Sequence, residues 1–156
     1  MSEHRARIQW TKATASFDPK EYNREHTWTF KNGTVVHASA APKYRGSPEC
    51  VDPEEALVGS LSGCHMLTFL AVCAREGVVV EKYDDEAVGY LEPNEQKKFA
   101  ITRVVLRPKI TFAPGQQPAP EKLAELHARA HSNCFVANSV LTTVTIEEPV
   151  TSATHS

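Results

Sequence analysis

The chain has 156 residues, 41% hydrophobic and 23% charged, with a net charge of −2 at neutral pH. That length suits a single domain over 1–156 with a real core, and the balanced charge gives no broad attraction for nucleic acid or an anionic membrane. Four cysteines and an N-terminal MSEHRARIQW without an apolar leader argue against a secreted disulfide scaffold and predict a cytoplasmic location.

In chain order, HRARIQW alternates weakly and reads as an edge strand. HTWTF and TVVHAS flank Lys31-Asn32-Gly33, a strong hairpin cue. Residues 40–52 carry two prolines and a glycine and read as a loop. Asp52-Pro53 then opens a helix, with Asp52 as cap and Glu54 and Glu55 in the first turn, where the helix dipole favours negative charge. Gly77 closes it. The helix is apolar nearly all round, which implies burial on most sides. Its glycines and serines interrupt it too often for a membrane span. Gly59, Ser60, Ser62 and Gly63 make it thin, so a second helix or another subunit should pack closely there.

Two long β-type segments follow, 79–92 and 98–112, joined by a turn at Pro93-Asn94. In the second, Val104, Leu106, Ile110 and Phe112 share one face and Arg103, Arg107 and Lys109 the other, predicting a half-exposed antiparallel strand. Residues 119–131 read as a helix with Leu123, Leu126 and Ala130 on one stripe, Val140–Ile146 as a last strand, and 149–156 as a frayed tail. The order of elements predicts an α+β fold with a mainly antiparallel sheet.

Cys64 and Cys73 lie on one helix, about 900° and roughly 13 Å apart, so they face opposite ways and cannot join. Cys73 therefore reads as structural and Cys50 as a loop bystander. Cys64 in its buried helix and Cys134 on a mobile helix end form a candidate redox pair only if the fold brings Cys134 to Cys64, which spacing does not show. A reactive thiol must ionise, and burial alone opposes that, so Cys64 needs a cation: Arg24, Arg45, His65 or His131, held by Glu54 or Glu55. A competing arrangement is zinc on His127, His131 and Cys134, against which stands the simpler reading of two solvated surface histidines. No nucleophile elbow and no phosphate loop occur in the sequence.

At these residues the chain resembles the OsmC/Ohr family of thiol-dependent peroxidases. VDPEEALVGSLSGCHML and HSNCFVANSV carry the resemblance, YNREHTWTF adds to it, and it spans about residues 22–148. The resemblance implies an OsmC-like fold, antiparallel sheets wrapped around two central helices in an intertwined homodimer whose two chains build each active site. It implies that Cys64 is the peroxidatic and Cys134 the resolving cysteine, that Arg24 is the arginine near the thiolate, and that Glu54 is the carboxylate pairing with it. The implied activity is reduction of organic hydroperoxides in oxidative-stress defence, through a Cys64 sulfenic acid and a Cys64–Cys134 disulfide. A dithiol, by family habit a lipoyl-bearing protein, would restore both thiols, and no metal or organic cofactor is needed. Leu61, Leu67 and Phe69 are candidate apolar walls for the substrate, and His65 and His131 candidate lining residues. The alternative on the same fold is a non-catalytic, stress-related or ligand-binding protein. Cys134-Phe135-Val136-Ala137 replaces the Cys-Pro-Tyr-Ser typical of the Ohr branch, and His65 after Cys64 is more similar to the OsmC-like branch.

Overall fold

The computed structural model of the protein describes residues 1–147, and the expected tail lies outside them. The chain divides into two compact units, Met1–Ala56 and Leu57–Ser156.

The first unit is a three-stranded antiparallel sheet, β1 (Ala6–Gln9), β2 (His26–Phe30) and β3 (Val35–Ala38), with β2 central and β1 at an edge, as its weak alternation predicts. The β2–β3 hairpin turns at Gly33, whose φ of +84° is the left-handed backbone that Asn-Gly supplies at low cost. After β3 the chain loops and returns to pair Ala38 with Val51. Within this loop Gly46 presses on Ala40: a Cβ on Gly46 would stand 1.5 Å from the Ala40 carbonyl oxygen. The unit ends in the first turn of α1 (Pro53–Arg75). There the Glu55 amide donates to Asp52 Oδ1 (2.8 Å) and the Asp52 amide donates to Glu55 Oε2 (3.2 Å). This is a reciprocal capping box, so Asp52 is the cap that the sequence indicates and Glu55 its partner.

In the second unit α1 runs on to Arg75 and stops at Gly77, φ +72°. The two long β segments each break in two: β4 (Val80–Asp85) and β5 (Val88–Pro93), then β6 (Phe99–Leu106) and β7 (Pro108–Phe112). β4 pairs with β7 and β5 with β6, both antiparallel, so the arms of one long hairpin crease at the same level. The crease has a local cause. Pro108 has no amide to give a ladder, and the Arg107 amide donates instead to Asp85 Oδ1 (2.6 Å), while Ser62 Oγ donates to Asp85 Oδ2. After α2 (Pro120–Ser132) and a 3-10 turn at Ala137–Ser139, β8 (Thr143–Ile146) adds parallel to β6, shorter than the expected Val140–Ile146 strand.

The crease divides the core. Leu61 packs with Val104 and Leu106, whereas Phe69, Val72 and Cys73 pack with Phe112, Leu126 and Ala130. Gly89 lets β5 approach α1; a Cβ there would lie 2.4 Å from Val58 Cγ2. Arg103 and Arg107 lie on the exposed face, as expected, paired with Glu92 (3.1 Å) and Glu147 (2.9 Å). By length and composition α1 also passes the test for a membrane span, as many core helices do. Its burial is one-sided: Gly59, Ser60 and Leu67 are exposed, and among the described residues nothing lies within 4 Å of a Cβ position at Gly59 or Gly63. The close-packing second helix expected over that thin stretch is therefore not one of the described elements.

Candidate active site

Cys64 is half-buried midway along α1, and Cys134 is 1% exposed, two residues beyond the end of α2. All four cysteines are free thiols. The chain brings these two to one turn: the neighbouring amides of Val136 and Ala137 point at Cys64 Sγ (3.5 Å) and Cys134 Sγ (3.4 Å). A tight turn carries Cys134 there. Its amide donates to the His131 carbonyl (3.2 Å), the Asn138 amide donates to its carbonyl (3.0 Å), and the Ala137 amide reaches its Sγ (3.4 Å). The same turn aims the Val136 amide at Cys64 Sγ (3.5 Å). Cys134 is thus buried and tied, contrary to its expected place on a mobile end, because consecutive main-chain bonds close residues 131–140. Burial pushes the Cys134 thiol above its ordinary pKa, and the neighbouring Cys64 adds to the rise. Cys73 is a core residue, its thiol also pushed up by burial. Cys50 sits half-buried in the loop of the first unit.

Cys64 opens into a groove of about 640 Å³ with Leu67, Thr68, Phe135 and Val136 among its walls. Leu67 is a wall as expected. Leu61 and Phe69 are not, since both are fully buried, one in each half of the core. Phe135, 81% exposed, is a wall that the sequence reading left out.

The histidines depart most from expectation. His65 turns inward, and its Nε2 is hydrogen-bonded to Nδ1 of His127 (3.0 Å), the rings stacked with centroids 5.3 Å apart. Phe69 stacks on His127 at 4.4 Å. Both imidazoles are buried and held down to about pKa 4, His65 by desolvation and then by His127 and His131, His127 by desolvation. His65 is therefore neutral near pH 7 and is no cation for Cys64, and His127 is a core residue rather than a solvated one. A signal existed, since residue 127 falls on the same stripe as Leu123, Leu126 and Ala130. Among the described residues no group of three or more His, Cys, Asp or Glu side chains is placed to hold a metal, so the zinc reading of His127, His131 and Cys134 fails on geometry.

The depressed pair makes a pH prediction. In the unfolded chain both rings take protons near pH 6.5, and in the folded one only near pH 4. Their stabilisation is complete above about pH 6.5 and is lost as pH falls towards 4, by several kcal/mol at most, from ~1.4 kcal/mol per pK unit. Urea unfolding from pH 7 to 4.5 should show the loss; a flat profile contradicts the buried neutral pair.

Arg24 and Glu54 belong to the first unit. The Arg24 guanidinium donates to the carbonyls of Pro19 (2.7 Å) and Tyr22 (2.9 Å) and lies 4.0 Å over the Tyr22 ring, in a cavity of about 760 Å³ shared with Trp10 and Phe17. Trp28 Nε1 donates to His26 Nε2 (2.8 Å), so His26 Nδ1 carries the proton and donates to the Arg24 carbonyl (2.8 Å). Glu54 is half-buried and its carboxylate, among the described residues, forms no hydrogen bond or ion pair, whereas Glu55 is engaged in the cap.

The sequence model for OsmC-like proteins matches residues 46–148. The chain belongs to the OsmC family. An OsmC-like protein of unknown function from Vibrio cholerae is 44% identical, with a TM-score of 0.89 over 96% of this chain and all of its own. An organic hydroperoxide resistance protein from Elizabethkingia anophelis shares the OsmC-like fold at 15% identity, with a TM-score of 0.71 over 96% of this chain and 98% of its own. The uncharacterised Bacillus subtilis protein YmaD is 24% identical over 76% of this chain and 79% of its own length. The expected α+β class, with two helices and largely antiparallel sheets, is thus the OsmC-like fold.

Proposed function

We propose that this OsmC-like protein is a two-cysteine reductase of organic hydroperoxides. The observation that supports this most is that adjacent amides of one turn serve the two sulfurs, Val136 donating to Cys64 Sγ and Ala137 to Cys134 Sγ. Cys134 is buried while Cys64 lines the open groove, so in this reading Cys64 is the nucleophile. The Cys64 thiolate attacks the distal peroxide oxygen. The O–O bond breaks, the alcohol leaves with a proton, and Cys64 becomes a sulfenic acid. The Cys134 sulfur then displaces hydroxide from Cys64, its proton leaves with that hydroxide as water, and a disulfide remains. A dithiol, in our reading a lipoyl-bearing protein, returns both thiols by two exchange steps and is itself oxidised to a disulfide. The apolar walls Leu67 and Phe135 suit an organic rather than an inorganic peroxide.

Arg24 and Glu54 keep, on their motifs, the roles of thiolate-stabilising cation and its carboxylate anchor, and the engagement of Glu55 in the cap leaves Glu54 free for this. We read the protein as a cytoplasmic single-domain homodimer, with the exposed thin face of α1 as the surface that a second copy covers. Intact mass and peptide mapping after one equivalent of cumene hydroperoxide test the scheme: two hydrogens should be lost, with Cys64 linked to Cys134. The Cys134→Ser protein should reduce about one equivalent per chain and then stall. Continued turnover in that variant removes Cys134 from the cycle.

A further inference from the structure

The histidine pair sits between the two helices that deliver the cysteines. His65 directly follows Cys64 on α1, and His127 lies on α2, whose last residue, Ser132, is two positions before Cys134. We propose that the His65–His127 hydrogen bond is a positioning brace, clamping α1 to α2 beside Cys64 so that Cys134 is held in register for disulfide closure. The inference rests on the two-cysteine reading above and assigns a role to residues outside that chemistry.

The geometry is demanding in a way that packing alone is not. Around the two rings the core is apolar, with Phe69 stacked on both imidazoles and Leu126 and Ala130 on the same face of α2. Apolar contacts tolerate sliding by fractions of an ångström, whereas a 3.0 Å hydrogen bond between planar rings fixes distance and rotation together. The charged and titratable groups whose fields reach His65 are His127, His131 and Asp85. Both rings are neutral at pH 7, so one donates and the other accepts, and losing either partner strands a buried polar nitrogen in apolar surroundings. His65 Nδ1, His127 Nε2 and His131 Nδ1 are already buried without a protein partner among the described residues, so the shared bond is the pair's only tie. A brace with no alternative partners has one low-energy arrangement.

The test reads closure without peroxide. Full-length protein is equilibrated with glutathione and its disulfide, in the exchange that converts two protein thiols and one glutathione disulfide into the Cys64–Cys134 disulfide and two glutathione thiols. Peptide mapping gives the effective concentration of one cysteine at the other. The two histidines bond through different nitrogens, which predicts a crossed pattern. Asparagine carries its amide nitrogen near the Nδ1 position and glutamine near Nε2. His127→Asn and His65→Gln should therefore stay within about twofold of the original protein. His127→Gln and His65→Asn should fall about tenfold, equal to ~1.4 kcal/mol. All four changes replace an imidazole by an amide, so simple destabilisation lowers them alike. If the two classes do not separate, or if all four keep the original effective concentration, the brace is wrong. Peroxide consumption is measured separately: its absence alongside a crossed pattern would refute the peroxidase reading and leave the brace standing.

Discussion

Replacement of Cys64 by serine should abolish hydroperoxide turnover. With tert-butyl hydroperoxide as substrate and dihydrolipoamide as reductant, the rate should drop by several orders of magnitude, to the uncatalysed background, because a serine hydroxyl is not ionised at neutral pH and cannot take an oxygen atom to form a sulfenic acid. The fold should be untouched. Cys64 is half-buried beside an open groove, and serine is slightly smaller, so no clash arises and thermal unfolding should shift little. Cys134 remains present in that variant, but buried and held protonated it does not substitute as nucleophile. Multiple turnovers by Cys64→Ser would end the proposed mechanism.

Gly46→Ala should be the most damaging of the small substitutions in the first unit. The added methyl would stand 1.5 Å from the Ala40 carbonyl oxygen, 2.2 Å from its carbon and 2.8 Å from its Cα. All three are backbone atoms, so no side chain can swing away, and the loop between β3 and α1 must reform. That loop also carries the Gly46 amide to the Ala41 carbonyl (3.2 Å) and the Ser47 amide to Ser39 Oγ (3.1 Å), which a shifted backbone gives up. A loss of about 4 kcal/mol or more is expected, at the far end of the usual range for one substitution. Gly33→Ala makes the contrast: nothing lies within 4 Å of its added methyl, and only the strain of φ +84° remains, about 1 kcal/mol. Urea midpoints for the two variants should separate accordingly. Equal midpoints would mean that the loop yields without cost.

Local signals in the chain carried most of the elements. Asp52-Pro53 marked the start of α1 and Gly77 its end, and Asn32-Gly33 marked the hairpin, because caps and tight turns depend on residues a few positions apart. The crease at Arg107 was not legible. It depends on the Asp85 carboxylate reaching an amide 22 residues away, and alternation of Val104, Leu106, Ile110 and Phe112 continues across it unchanged. The site divides the same way. The Cys64–Cys134 pairing followed from resemblance and not from spacing, since 70 residues of chain separate the two thiols. His127 showed its burial only as a helical stripe, and its bond to His65 joins positions 62 apart. Long-range polar contacts, whether of a carboxylate with a distant amide or of one imidazole with another, leave no periodic trace in the chain.

The creased hairpin also limits how the molecule can change in length. Asp85 faces Pro108 on one side of the fold line and Val88 faces Val105 on the other, so at the fold itself the two arms are matched in length. One residue inserted at the fold in a single arm would reverse the pleat beyond it and take Val104 and Leu106 off their packing against Leu61. Single extra residues are taken up away from the fold, as the register shifts at Val80–Lys82 and Tyr90–Leu91 already show, one in each ladder.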